Sequence, residues 1–434
     1  MQNKNLIFLT MSRITDINMR NIYTALLRKF RDEGWNVYIV TPHERSLGMP
    51  TELVDVKDNA NDNLNEKREG SVHILGVKTL NLQKTNAIEK GVGQVLVESQ
   101  FTSAIKKYLS DVKFDLVLYS TPPITFPKVI AYLKRQNPQA MTYLLLKDIF
   151  PQNAVDLGMM SKTGVKGVLY RFFRRKEKKL YAYSDYIGCM SPANVEYVLK
   201  HNPEIDSKRV EVAPNSIEAP CPPKGENCEN ESEVREKNER YHIRKKYNLP
   251  IDKPVFIYGG NLGKPQGIDY LIKCLDENKN RQDCFFVVVG NGTEYGKLRA
   301  WMDDVRSKKE DVCVKVMQRL PKEDYDMLVR NCDVGLIFLD HRFTIPNYPS
   351  RLLSYLEYKM PVICATDVNT DIGRIAEENG YGFWCESVKP EDFTALVDKM
   401  LLADRKALGE RGYEFLKENY LVEHTYNAIM KHVF

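Results

Sequence analysis

Three turns in the second half of the chain carry glycine or proline, two of them with cations, at positions suited to holding an anion. The first, Gly259-Gly260-Asn261-Leu262-Gly263-Lys264-Pro265-Gln266-Gly267, follows the apolar run PVFIY. The second, Gly290-Asn291-Gly292, follows CFFVVV. The third is the stretch Pro346–Pro361, PNYPSRLLSYLEYKMP, which comes after VGLIFL and the polar triplet Asp340, His341, Arg342. Ser350 and Arg351 stand in it where a helix should begin. Glycine lets the backbone approach a ligand closely, and the freed N–H groups of a strand–loop–helix turn point at phosphate oxygens. Lys264, Arg342 and Arg351 are the local cations that could neutralise a bound anion. Each glycine turn alone is equally well a plain connection, but three on one sheet edge would converge.

In the first half the ionisable candidate is Asp148. It ends the apolar run TYLLLKD and precedes Phe150 and Pro151, so it should sit at a sheet edge and could orient or deprotonate a hydroxyl. An N-cap for the following segment is the competing account. Asp324-Tyr325-Asp326 spells the DxD of metal-dependent sugar transferases, yet it lies between Pro321 and MLVRN, on a helix and not at a strand end. No metal site is expected. Arg171, Arg174, Arg175, Lys176, Lys178 and Lys179 alternate with Leu169, Phe172, Phe173 and Leu180 on a helix candidate, Gly164–Tyr183. That helix could lie on anionic lipid through Arg171–Lys179, or be a surface helix with its apolar side on the core.

The elements that position these residues alternate. NLIFLT, WNVYIVTP, HILGV, DLVLYSTPP, TYLLLKD, YIGCMS and RVEVAPNS read as strands separated by helix-length segments, which argues for βαβ units and a parallel sheet. Glu44–Gly70 is polar and reads as a loop or irregular insertion. Cys221–Asn238 suits a linker. The alternation restarts at Pro254 with PVFIYGGNLG, CFFVVVGNG, VCVKVM, VGLIFL and PVICA, and the end from Pro390 reads as helical.

At 434 residues, two domains are expected. A hydrophobic share of 43% and a charged share of 28% describe a globular chain. The net charge of +5 is small for this length and calls for no nucleic acid. Nine cysteines without a CxxC pair read as reduced thiols. The opening MQNKNLIFLTMSR is expected to be a first strand and not a signal peptide, and no run is long enough to span a bilayer, so a cytoplasmic protein is expected.

The set GGNLGKPQGIDYLI, VVVGNGTEYGKL, QRLPKEDYDMLVRNCDVGLIFL and PSRLLSYLEYKMPVI resembles the carboxyl-terminal domain of GT-B glycosyltransferases, family 4-like, in the bacterial capsule and O-antigen branch. In the first half, KDIFPQNAVDLG and VEVAPNSIE are similar to segments of that branch, so the likeness runs through most of the chain. It implies an α/β fold of two doubly wound Rossmann-like domains facing each other across a cleft. The expected divisions are 1–215 for the acceptor, 216–250 as linker or charged excursion, 251–415 for the donor, and 416–434 as a helix crossing back.

The resemblance further implies retaining, metal-independent transfer of a sugar from a nucleotide-diphosphate donor, without a cofactor. The acceptor would be a glycan or a lipid-diphosphate-linked glycan at the inner face of the membrane. Donor contacts would come from Gly260, Asn261, Gln266, Gly290, Asn291, Arg319, Leu320, Asn347, Tyr348, Ser350, Arg351 and Ser354. Acceptor contacts would come from Ser12, Arg13, Asp16, Asn18, Asn86 and Asp148, with Asp148, Arg351 and Lys264 as the catalytic set. The sequence departs from the family at defined places. Asn261 and Gln266 stand where relatives carry Arg and Lys, Pro346 and Ser354 where they carry paired glutamates, and Met11–Asn18 where many carry a glycine pair. An impaired transferase acting as a partner of an active one, or a nucleotide-sugar epimerase, are the alternatives.

Overall fold

The computed structural model describes residues 4–19, 21–56, 70–82, 87–219, 229–308 and 312–433. The chain divides into two compact units, one of Met1–Glu218 with Leu421–Phe434, the other of Ala219–Tyr420.

The first unit is built on an eight-stranded sheet. Its strands are β1 (Asn5–Leu9), β2 (Asn36–Glu44), β3 (Glu52–Val56), β4 (Val72–Thr79), β5 (Leu116–Ser120), β6 (Met141–Leu146), β7 (Tyr186–Cys189) and β8 (Val210–Val212), in the order β3-β4-β2-β1-β5-β6-β7-β8. All pairs are parallel except β3 with β4. β3 lies inside the polar stretch expected to be loop. Its register against β4, Leu53 opposite Leu75 and Val54 opposite Ile74, lets a short edge strand form from few apolar residues. Strand order reverses between β1 and β5, which makes the loops after these two strands a natural ligand site.

The second unit has a six-stranded, wholly parallel sheet. It comprises β9 (Val255–Asn261), β10 (Phe285–Asn291), β11 (Val314–Gln318), β12 (Val334–Phe338), β13 (Val362–Thr366) and β14 (Gly382–Glu386), ordered β11-β10-β9-β12-β13-β14. Its central strands read VFIY, FFVVV, VGLIF and VICA without alternation because helices cover both faces. The order reverses between β9 and β12. The turns after those strands therefore flank the crevice where doubly wound sheets bind ligands.

Part of the stretch expected to be linker is structural. Residues Glu229–Lys246 form a helix whose Arg244 is completely buried in the second unit. Its guanidinium donates to the carbonyls of Asn331 (3.0 Å), Pro250 (3.0 Å) and Lys253 (2.9 Å) and to Asp333 Oδ2 (2.6 Å). Asp333 Oδ2 also accepts from the Val255 N–H and Arg240 pairs with Asp333 Oδ1, so two arginines of this helix meet one carboxylate at the starts of β9 and β12. The last helix, Val422–Met430, belongs to the first unit. There Tyr426 packs edge-on to Phe30 at 4.8 Å, and Thr425 donates to the Pro214 carbonyl.

Candidate functional site

The second unit brings its three turns together. Leu262 N–H donates to Asn291 O (3.0 Å) and Glu294 N–H to Leu262 O (2.9 Å), joining the β9 and β10 turns. A Cβ at Gly290 would stand 2.0 Å from Gly260 O, so only glycine permits this approach. Asp340 N–H donates to Pro265 O (3.0 Å), bringing in the β12 turn. Gly260 adopts φ +122°, a backbone that a side chain would strain, and presents its outer face to the Arg351 guanidinium.

Arg351 is the centre of this arrangement. Its Cζ lies 4.4 Å from the centre of the Tyr258 ring, and its Nη1 atom is buried without a hydrogen-bond partner. Tyr355, fully buried, donates to the Ile257 and Leu336 carbonyls beneath it. Tyr325 covers Gly259, where a Cβ would stand 1.9 Å from its hydroxyl. No carboxylate among the described residues pairs with Arg351. A guanidinium stays charged at any working pH, so a cation wrapped in tyrosines is left to attract an external anion. The helix it opens, Arg351–Glu357, has only seven residues, and its dipole is a minor contributor beside the full charge.

The other expected donor residues divide. Gln266 is an internal brace, its Oε1 accepting from Asn261 Nδ2 and Gly263 N–H at 3.1 Å each. Asn291 accepts from the Gly292 N–H. Lys264 is exposed in a single turn, with no acid partner among the described residues. Ser350 is exposed and Ser354 half-buried on the same short helix as Arg351. Arg319 and Leu320 follow Gln318, which pairs with Gly290 at the sheet edge. Asn347 gives its backbone N–H to Thr370 and its side-chain amide to Ile345 O (3.4 Å), and the Tyr348 hydroxyl is taken by Tyr420. Arg342 is also spent, in a fork to Asp340 at 2.9 and 2.7 Å. Burial opposes the charge on Asp340, but Arg342 holds its carboxyl below the usual range.

Sequence reasoning missed Tyr258, Tyr325 and Tyr355, which look like ordinary core aromatics until the fold stacks them. It also missed Asp367 after β13. Burial raises the Asp367 carboxyl to about 6, while Thr370 and the N–H of Asn369 hydrogen-bond it. The DxD carboxylates are occupied by lysines, Lys246 on Asp324 and Lys322 on Asp326.

In the first unit, the ends of β1, β5 and β6 meet. Thr121 Oγ1 takes the Asp148 N–H and donates to its carbonyl, both at 3.2 Å. The Asp148 carboxylate accepts from Asn153 Nδ2 at 2.8 and 2.9 Å and caps no helix; Pro151 occupies that position. Burial raises this carboxyl to about 6, with Asn153 opposing the shift. Neighbouring Lys147, missed from the sequence, donates to Ala213 O (3.0 Å), and burial lowers it to about 7. On the β1 turn, Ile14 and Ile17 are buried anchors that leave Arg13, Asp16 and Asn18 exposed. Ser12 is half-buried and Asp16 Oδ1 holds the Asn18 N–H (2.8 Å). Asn86 lies outside the described residues.

Residues 239–415 match the family of glycosyl transferases group 1. The probable glycosyltransferase WbjE of Pseudomonas aeruginosa is 25% identical over 346 residues, 78% of each chain. Among solved structures, sucrose-phosphate synthase from Thermosynechococcus elongatus aligns with a TM-score of 0.68 at 13% identity, over 99% of this chain and 98% of that one. Anabaena HepE in complex with UDP and glucose aligns at 0.65 and 10% identity, over 99% of both chains. With two parallel-sheet units of this topology, the chain is a glycosyltransferase of the GT-B fold. Among the described residues no helix is long and apolar enough to cross a membrane.

Proposed function

We propose that the chain transfers a sugar from a nucleoside-diphosphate donor to a lipid-linked cell-surface glycan, with retention and without a metal, in the cytoplasm at the membrane surface. The observation that carries this reading is the Arg351 guanidinium, charged, half-enclosed by tyrosines and without a carboxylate partner among the described residues, beside Gly260 at the strand-order reversal. The donor's anomeric C–O bond to the diphosphate breaks while the acceptor hydroxyl oxygen bonds to that carbon. Arg351 and Lys264 take up the charge developing on the diphosphate. Asp148, ionised at neutral pH and oriented by Asn153, receives the acceptor's proton. Gly260, Gly290 and Asn291 shape the diphosphate's floor, and Ser350 and Ser354 offer hydroxyls where relatives have a glutamate. The exposed Arg13, Asp16 and Asn18 would meet the acceptor sugar.

Incubating the purified chain with labelled nucleotide sugars and a membrane fraction tests the reading. Transfer of label to lipid-extractable material, lost in Asp148→Asn, supports it. No transfer from any common nucleotide sugar overturns it.

A further inference from the structure

We propose that the outward face of the Gly164–Tyr183 helix is a docking surface for an anionic lipid bilayer. Val165, Val168, Leu169 and Phe172 are 91%, 60%, 50% and 39% exposed, respectively. Their spacing of i, i+3, i+4 and i+7 places them on one face. The helix already has a core side, where Gly167, Phe173, Leu180 and Tyr181 are buried. Its amino-terminal half is therefore apolar twice over, and only one of the two faces is covered. Met159, also exposed, precedes it. A clustered, water-facing apolar stripe marks an interaction surface.

The cations decide what it docks to. Of the six basic residues on this helix singled out from the sequence, three are engaged: Arg174 with Glu177 (2.6 Å), Lys176 with Glu98 (2.6 Å) and Lys178 with Glu204 (3.0 Å). Arg171, Arg175 and Lys179 have no acid partner among the described residues, and they border the apolar stripe on one side. The same helix face continues past Lys176 to Tyr183, which lines a groove of about 1270 Å³. Lys106, Lys128 and Arg135 also line it, again without an ion pair among the described residues. Apolar residues bordered by unpaired cations match the two halves of an anionic bilayer, acyl chain and headgroup. A second copy of the chain fits poorly, because self-docking would set these cations against their own kind.

The proposal deepens the lipid-linked acceptor reading and rests on it. Vesicle binding needs no donor, so calorimetry with nucleotide alone reports separately on the transferase site. The test is cosedimentation of the full chain with vesicles of phosphatidylcholine, or of phosphatidylcholine mixed with phosphatidylglycerol. Binding is expected to the mixed vesicles alone and to weaken with salt. Leu169→Glu with Phe172→Glu should lower it more than tenfold at unchanged melting temperature. Arg171→Gln, Arg175→Gln and Lys179→Gln should each lower it roughly fivefold. The proposal is overturned if the wild-type chain ignores anionic vesicles, or if the double glutamate variant binds them equally well. A wild-type dimer that the same variant dissolves, without vesicle binding, would assign the face to protein instead.

Discussion

The Arg351 guanidinium lies over the Tyr258 ring, 4.4 Å from its centre, and Tyr258 is itself fixed by donating its hydroxyl to Asn261 O at 2.9 Å. The ring thus links the cation to the turn that would cradle a phosphate. Arg351→Lys keeps the charge but loses the planar stack and the fork of donors. Nucleoside-diphosphate affinity should fall about five- to tenfold, the scale of a lost cation–π contact. Calorimetric titration of both proteins checks this.

Gly290→Ala tests the packing of the turns. Its Cβ would meet Gly260 O at 2.0 Å, so backbone must shift. A loss of about 1–3 kcal/mol in denaturant unfolding is expected, the usual cost of overpacking. Weakened nucleotide binding should accompany it.

The carboxyl of Asp148 gives a pH signature. Its folded value of about 6 lies above the ordinary 3.8 because of burial, so the folded state holds the proton more tightly than the unfolded chain. The stability this group adds is complete below the ordinary value and is lost as pH rises through about 6, on the order of 3 kcal/mol in all. Asp367 shifts the same way, so the two overlap in an unfolding curve. Asp148→Asn separates them by removing part of the slope between pH 4 and 6. In activity, transfer should fall on the acid side with an apparent pKa near 6, and Asp148→Asn should cost roughly 10²–10⁴-fold in kcat. A profile flat through pH 6 would remove Asp148 from the proton transfer.

Arg244 predicts a stability effect remote from the chemistry. Arg244→Ala leaves three buried carbonyls without a donor and Asp333 with only the partly exposed Arg240 as its cation. Unfolding free energy should drop by about 3–5 kcal/mol.

How much of this could be read from the chain follows from the kind of signal each residue leaves. The strands β9, β10, β12 and β13 announce themselves as short apolar runs closed by glycine or proline, and the two-unit α/β fold follows from them. Glycine turns are also legible, because their backbone demands are local. What the sequence hides is which side chains already have partners. Arg342 and Arg351 look alike as cations near one loop, but Asp340 consumes the first and no carboxylate among the described residues pairs with the second. Tyr348 falls within the expected donor loop, yet Tyr420, 72 residues away, takes its hydroxyl. Phe172 and Phe173 are adjacent, and only helix packing shows that the second is buried and the first exposed. Arg244 falls in the 216–250 division expected as linker or charged excursion, because a buried arginine leaves no compositional signal in so polar a stretch.

The central claim is that Arg351 holds the donor's diphosphate. Titrating the wild-type chain and Arg351→Ala with UDP, GDP, ADP and CDP by calorimetry tests it most directly. At least one nucleotide should bind the wild type, and the alanine variant should bind it roughly 10- to 100-fold more weakly, as loss of a charge-assisted hydrogen bond implies. Equal affinity in the two proteins would contradict it.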